Sequence, residues 1–312
     1  MHTIVAFTLQ FALYLAVGWG AKKSRIVDKR FEKSLGNFLV NFALPCMIVR
    51  SLRVSFTWDQ LGLYGAALLA AMVVLCLSGA VGQLCYVRMG RNHTGRAFRF
   101  GLLITNFTFM GMPLAETLLG PDALSFFSLF TVPIRVFYYC TAERLLSPSH
   151  PTRKLLGGLR QSILSPPVLG VAVGLALAVT GVNLPEPMEA VLAGLGGICS
   201  PMGMLLCGMT LTEVCPGDLR HPRFLLMPLL RLLAVPACAA IFCLLVPIPA
   251  VIRQTVLLYT ALPCAGMMTV YTVRYEPETE AWRDASVYVA LTNLFSVLTI
   301  PLWSGLILWM GG

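Results

Sequence analysis

Two short segments hold the residues best placed to do chemistry. The first reads Asn106-Phe107-Thr108-Phe109-Met110-Gly111-Met112-Pro113 and the second Ala261-Leu262-Pro263-Cys264-Ala265-Gly266-Met267-Met268-Thr269. Each sets glycine, proline and polar side chains near the middle of an apolar run. Proline removes a backbone donor and can break a helix, and a broken helix in lipid needs protein or water around its exposed polar groups. If both segments unwind and cross, their half-helix ends face a shared midplane cavity, where N-termini hold an anionic group and free carbonyls hold a cation. That chemistry is the binding and release of a small charged solute. The competing reading of either segment alone is a packed bend, because proline and glycine are common in membrane helices. The corresponding positions of the two segments in opposed halves of the chain favour functional breakage.

The candidate substrate-binding residues are Asn106, Thr108, Met112, Pro113, Pro263, Cys264 and Thr269 from these segments, together with Arg135. Each polar one could instead satisfy a neighbouring helix backbone. Charged residues inside apolar spans carry more information, because burying them is costly. Glu116 follows the first break by three residues, Arg135 lies well inside the fifth span, Arg231 in the eighth, and Arg50 near the end of the second. Arg135 could attract an organic anion or pair with Glu116. Glu116 could carry a proton or act as a counter-charge. Arg50 and Arg231 could snorkel to an interface, and Arg231 is the weaker candidate for a transport role. Asn293, with Ser296 and Thr299, forms a polar face in the last span and joins Glu116 as a candidate for ion or proton coupling. Asn37 and Asn41, four apart before Pro45, could line water or join helices.

The elements that must position these residues are set by composition. The chain has 312 residues, of which 57% are hydrophobic and only 12% charged, and its mean hydropathy is +0.78. Soluble proteins carry about 25% charged residues, so the composition excludes a pair of soluble domains and points to a polytopic membrane protein. A membrane helix needs roughly 20 mostly apolar residues. Ten candidates answer that description, near 3–21, 35–53, 60–87, 98–119, 124–142, 163–181, 189–211, 224–246, 251–273 and 286–309. Runs of this length are helical, because only helices or closed barrels span lipid. The first apolar segment is followed at once by Lys22, Lys23 and Arg25 and reads as a retained helix rather than a signal peptide.

The net charge is +9, and eighteen of the 23 basic residues fall in alternate loops. That distribution fits membrane topology, with both termini outside the cytoplasm, and removes the need for a nucleic-acid partner. The longest connection, roughly 143–162, divides the chain. The expected organisation is a first five-helix repeat over 1–145, a cytoplasmic linker over 146–162 and a second repeat over 163–312. Five spans per half give the halves opposite orientation, the arithmetic of an inverted repeat. Approximate proline pairs support it: Pro45 with Pro201, Pro113 with Pro263 and Pro133 with Pro301. The ten cysteines are scattered without CxxC spacing, and the four histidines sit at the N-terminus or in loops, so no metal or redox cofactor is expected. Gly194, Gly196, Gly197 and Gly203 around Pro201 permit close packing, within the chain or in a dimer.

Four motifs resemble the auxin efflux carrier family of membrane transporters. They are Asn41-Phe42-Ala43-Leu44-Pro45-Cys46-Met47-Ile48, Phe109-Met110-Gly111-Met112-Pro113-Leu114, Ala261-Leu262-Pro263 followed by Tyr271 and Tyr275, and Leu298-Thr299-Ile300-Pro301-Leu302. Their order and spacing cover essentially the whole chain. The resemblance implies an all-α membrane fold of ten helices in two inverted five-helix repeats with crossed broken helices, a scaffold, a moving transport domain and often a homodimer. It implies organic-anion substrates such as auxin, malonate or malate. The short central loop is similar to the compact bacterial branch, which favours a small carboxylate over auxin. Arg135 and Glu116 match no general signature of the family.

The expected function is therefore a secondary permease for a small organic anion, working by alternating access in a cell inner membrane or plasma membrane, in contact with lipid. Proton and sodium coupling are both open. An auxin-like indole carboxylate is the second substrate class. An intramembrane lipid enzyme would need an HExxH, GxSxG or paired-carboxylate arrangement, none of which occurs. A receptor or structural protein would show continuous helices. The chain has no Walker A motif for direct ATP drive.

Overall fold

The computed structural model describes residues 2–55, 57–146, 159–160, 163–213, 217, 221–275 and 281–311. Its regular structure is all-α. The helices are α1 (His2–Lys23), α2 (Lys29–Phe38), α3 (Leu44–Ser55), α4 (Leu61–Arg88), α5 (His93–Leu103), α6 (Met112–Leu114), α7 (Pro121–Leu146), α8 (Pro166–Thr180), α9 (Glu186–Gly197), α10 (Cys199–Thr210), α11 (Pro222–Leu229), α12 (Val235–Leu245), α13 (Ala250–Ala261), α14 (Met267–Tyr275) and α15 (Ala281–Trp309). Their starts follow local chemistry. Asp28 caps α2 by accepting from the Phe31 amide at 2.8 Å, and Asn92 caps α5 by accepting from Gly95 at 2.7 Å. Pro166 opens α8, and Gly181, at φ 64°, ends it.

Wide π-helical turns interrupt the helices at Leu39–Ala43, Phe107–Gly111, Ala115–Leu119 and Leu230–Ala234. All four end two residues before a proline; Pro45, Pro113 and Pro236 continue the helix, whereas Pro121 follows Gly120 at φ 90° and opens α7. A helical proline ring collides with the carbonyl four residues back. Widening the preceding turn moves that carbonyl aside and changes which face the following side chains occupy.

The expectation of ten membrane-spanning helices is corrected, and two of the expected spans are cut by non-helical backbone. Among the described residues six helical stretches are long and apolar enough to cross a membrane: Lys29–Arg53, Trp58–Arg88, Pro121–Ala142, Glu186–Glu213, Phe224–Leu245 and Ala281–Trp309. The expected fourth span is cut at 104–106, leaving α5 with 11 residues and a second apolar piece, Phe107–Leu119. The expected ninth span is cut at 262–266, leaving α13 with 12 residues and α14 with 9. The expected sixth contains only the 15 residues of α8. At 1.5 Å per residue α13 covers about 18 Å, well short of a hydrocarbon core of about 30 Å. The expected first span, α1, is not among the six.

The two inverted five-helix repeats are also corrected. Of the described π turns, three lie before residue 120 and one at Leu230–Ala234. The turn at Leu39–Ala43 has no partner near Pro201, and that at Leu230–Ala234 has none in α4. Proline spacing in sequence does not fix helix register, because Pro133 and Pro301 sit inside α7 and α15 without a wide turn.

The protein is an all-α, multi-pass membrane protein. Large apolar side chains face outward along α4 and α15, among them Leu69 at 70% and Leu298 at 73% exposure. Close packing falls where glycine admits a neighbouring backbone. An added Cβ at Gly203 of α10 would lie 2.6 Å from the Phe109 carbonyl oxygen, and one at Gly196 of α9 would lie 3.1 Å from the Met47 backbone. Those two glycines serve contacts within the chain, whereas Gly194 and Gly197 face open space.

Candidate functional site

The two interrupted helices meet. Thr105 and Cys264 form an antiparallel bridge. The Asn106 amide donates to the Pro263 carbonyl at 2.8 Å, and the Ala265 amide donates to the Ile104 carbonyl at 3.3 Å. Both α5 and α13 therefore end at this contact, and the stretches starting at Phe107 and Met267 begin beside it. A helix end leaves its last carbonyls without partners, and an unpaired carbonyl in the interior is costly.

Side chains from other helices supply donors to those carbonyls. Arg231 is fully buried. Its Nε donates to Leu262 O at 3.0 Å, Nη1 to Leu102 O at 3.0 Å and Nη2 to Tyr259 O at 3.3 Å. One guanidinium thus ties the C-terminal end of α5 to that of α13. Among the described residues no carboxylate lies within ion-pair distance of it. The negative ends of two helix dipoles balance its charge. The Tyr259 hydroxyl donates to Leu103 O at 3.3 Å, and the Cys264 thiol donates to Gly101 O at 3.5 Å. Thr292 of α15 accepts the Cys264 amide at 3.1 Å. Arg231 reaches inward because it lies in the wide turn at Leu230–Ala234 before Pro236. Its low ranking by sequence missed this. The available signal was depth, since Arg231 stands seven residues after Phe224 in an apolar run.

The other candidates occupy several separate places. Asn106, Thr108 and Arg135 are gathered on the Phe107 side of the crossing. Arg135, 5% exposed, places Nη2 3.3 Å from the Thr108 hydroxyl and its guanidinium carbon 4.7 Å from the centre of the Phe107 ring. The Asn106 side-chain amide donates to Cys207 Sγ of α10 at 3.1 Å. Pro263 and Cys264 form the crossing itself. Thr269 lies in the first turn of α14, where its amide donates to Gly266 O at 3.2 Å.

Met112 and Pro113 are buried in packed surroundings, and Met112 Sδ accepts from the Ser128 hydroxyl at 3.6 Å. Glu116 is half-buried and feels the charge of Arg50. Among the described residues no ion pair joins Glu116 to Arg135. Asn293 is buried in α15, where its Nδ2 donates to Val289 O at 3.0 Å and its Oδ1 has no partner. Among the described residues no group of three histidine, cysteine or acidic side chains is placed to hold a metal.

The positive features therefore lie at the helix starts that leave the crossing. The C-terminal carbonyls are engaged by Arg231, Tyr259, Cys264 and the bridge. The helix N-termini at Phe107 and Met267 bring partial positive charge, and Arg135 adds a full one beside Phe107. This arrangement can attract an anion and has no evident nucleophile–base pair.

A family model described as membrane transport protein matches residues 4–156 and 148–304. No curated protein matches the chain. With nearly the whole sequence matched over a multi-pass helical fold, the chain belongs to the membrane transport protein family.

Proposed function

We propose that the protein is a secondary permease for a small organic anion of the malonate or malate class, working by alternating access. The observation that carries this reading is the crossing of two interrupted helices, with their C-terminal carbonyls engaged internally and Arg135 with Thr108 beside the N-terminal end at Phe107. A dicarboxylate gains a charge-assisted contact from the guanidinium and further stabilisation from amide dipoles. Glu116 and Asn293 are the groups for a coupled proton or sodium ion. The protein resides in a cell inner membrane or plasma membrane, with its basic loops toward the cytoplasm. It acts as a transporter and not as an enzyme.

The test is uptake into proteoliposomes of radiolabelled malonate, malate and indole-acetate, with proton and sodium gradients imposed separately. The expected result is saturable uptake of a dicarboxylate that one of the gradients accelerates. Absence of saturable uptake across the organic-anion panel would overturn the proposal.

A further inference from the structure

Where α5 ends at the crossing, each carbonyl from Gly101 to Ile104 has a donor. Gly101 O accepts from the Cys264 thiol, Leu102 O from Arg231, Leu103 O from the Tyr259 hydroxyl and Ile104 O from the Ala265 amide. On the α13 side Arg231 also reaches Tyr259 O and Leu262 O, and Pro263 O accepts the Asn106 amide. Of these donors Arg231 alone carries a charge. Carbonyls at the ends of broken helices are the groups that coordinate a sodium ion in many transporters. Here a guanidinium attached to the chain stands among them.

Its placement is built. Trp303 Nε1 of α15 donates to Leu232 O at 2.7 Å, which pins the wide turn that carries Arg231. Arg231 stands seven residues into the apolar stretch Phe224–Leu245, about 10 Å along the helix, and is fully buried. Among the described residues no carboxylate is within ion-pair distance. The guanidinium is therefore a cation held by carbonyls, as a bound metal cation would be, and arginine keeps its charge in apolar surroundings. A second cation on any of the same carbonyls would lie within about 6 Å of it, a repulsion that weakens binding about a hundredfold.

We infer that Arg231 is the crossing's own cation, a tethered guanidinium that takes the place of a soluble sodium ion. It is a positioning residue: it holds the ends of α5 and α13 together with no ion to bind or release. One consequence rests on the permease reading, namely that a sodium gradient does not drive uptake. The cation assignment itself does not rest on it.

Melting of the full chain in detergent, followed by tryptophan fluorescence, tests this. Arg231→Lys keeps the charge, whereas Arg231→Gln keeps neutral donors. Burying a charge costs more than burying an amide, so a site that needs only donors favours glutamine. A site that needs a cation favours lysine, and Arg231→Lys is expected to melt above Arg231→Gln. Arg231→Ala vacates the carbonyls. Guanidinium chloride at roughly 20 mM, far below the molar range that denatures, is expected to raise its melting temperature by about 3 °C or more. The same salt leaves the wild type unchanged, and choline chloride, a bulkier cation, stabilises neither. Sodium in place of choline leaves wild-type melting and malonate uptake unchanged. Arg231→Gln melting at or above Arg231→Lys overturns the inference. So does a folded Arg231→Ala that ignores guanidinium, or wild-type melting or uptake that rises saturably with sodium. If Arg231→Ala does not fold, the lysine–glutamine order and the wild-type sodium response decide. Guanidinium rescue with no organic-anion uptake by the wild type would leave the cation assignment standing and remove the transport reading, so the two failures are distinguishable.

Discussion

Arg231 and Arg135 are both arginines buried in apolar helices, and they face different tasks. Arg231 meets three backbone carbonyls, whereas Arg135 rests on Thr108 and the Phe107 ring. Arg231→Met removes donors from three carbonyls while keeping an unbranched side chain. The Tyr259 carbonyl still accepts the Leu262 amide at 3.4 Å, so two carbonyls are orphaned at about 1–3 kcal/mol each and a total loss of about 2–6 kcal/mol is expected. Thermal unfolding followed by tryptophan fluorescence reads it directly, and a melting curve unchanged from wild type contradicts the assigned role. Arg135→Gln should leave the fold largely intact and raise the KM for the transported anion about tenfold or more, equivalent to about 1.4 kcal/mol. Unchanged KM and flux would remove Arg135 from the proposed site. Sequence made the polar residues of the two breaks visible, because glycine, proline and amide side chains interrupt apolar runs there. It hid Arg231, because snorkelling and burial look alike until the register of the wide turn is known.

At the scale of elements, prolines act through the turns that precede them. In an ordinary helix interior, replacing proline with alanine relieves about 3 kcal/mol. Pro236→Ala is expected to do the opposite here. An ordinary turn at Leu230–Ala234 would rotate Arg231 away from Leu102, Tyr259 and Leu262. A lower melting temperature is the expected outcome, and a higher one would show that the wide turn does not position Arg231. Gly203→Val tests the contact between α10 and the first interruption. Its Cβ would fall 2.6 Å from Phe109 O, whereas Gly194 has open space. Overpacking costs about 1–3 kcal/mol, so Gly203→Val should melt lower than Gly194→Val, and equal melting would deny the close approach. Helix existence was legible from apolar runs. Continuity was not, because hydropathy stays high across an interruption such as Leu262 to Gly266 and does not report where backbone bonds stop.

At the scale of the whole molecule, composition identified an all-α membrane protein. Span counting and proline pairing went further than the backbone supports. Counting treated two pairs of half-helices as whole spans, and the pairing did not anticipate the uneven placement of π turns. What survives is a multi-pass bundle in which two short helices end against one another deep among longer ones, in a chain that belongs to a transporter family. The most direct test is radiolabelled malonate and malate flux into proteoliposomes containing the wild-type chain or Arg135→Gln. The account predicts saturable wild-type uptake that rises with an imposed proton or sodium gradient, together with a large increase in KM for the variant. No saturable uptake of any organic anion by wild type would contradict it.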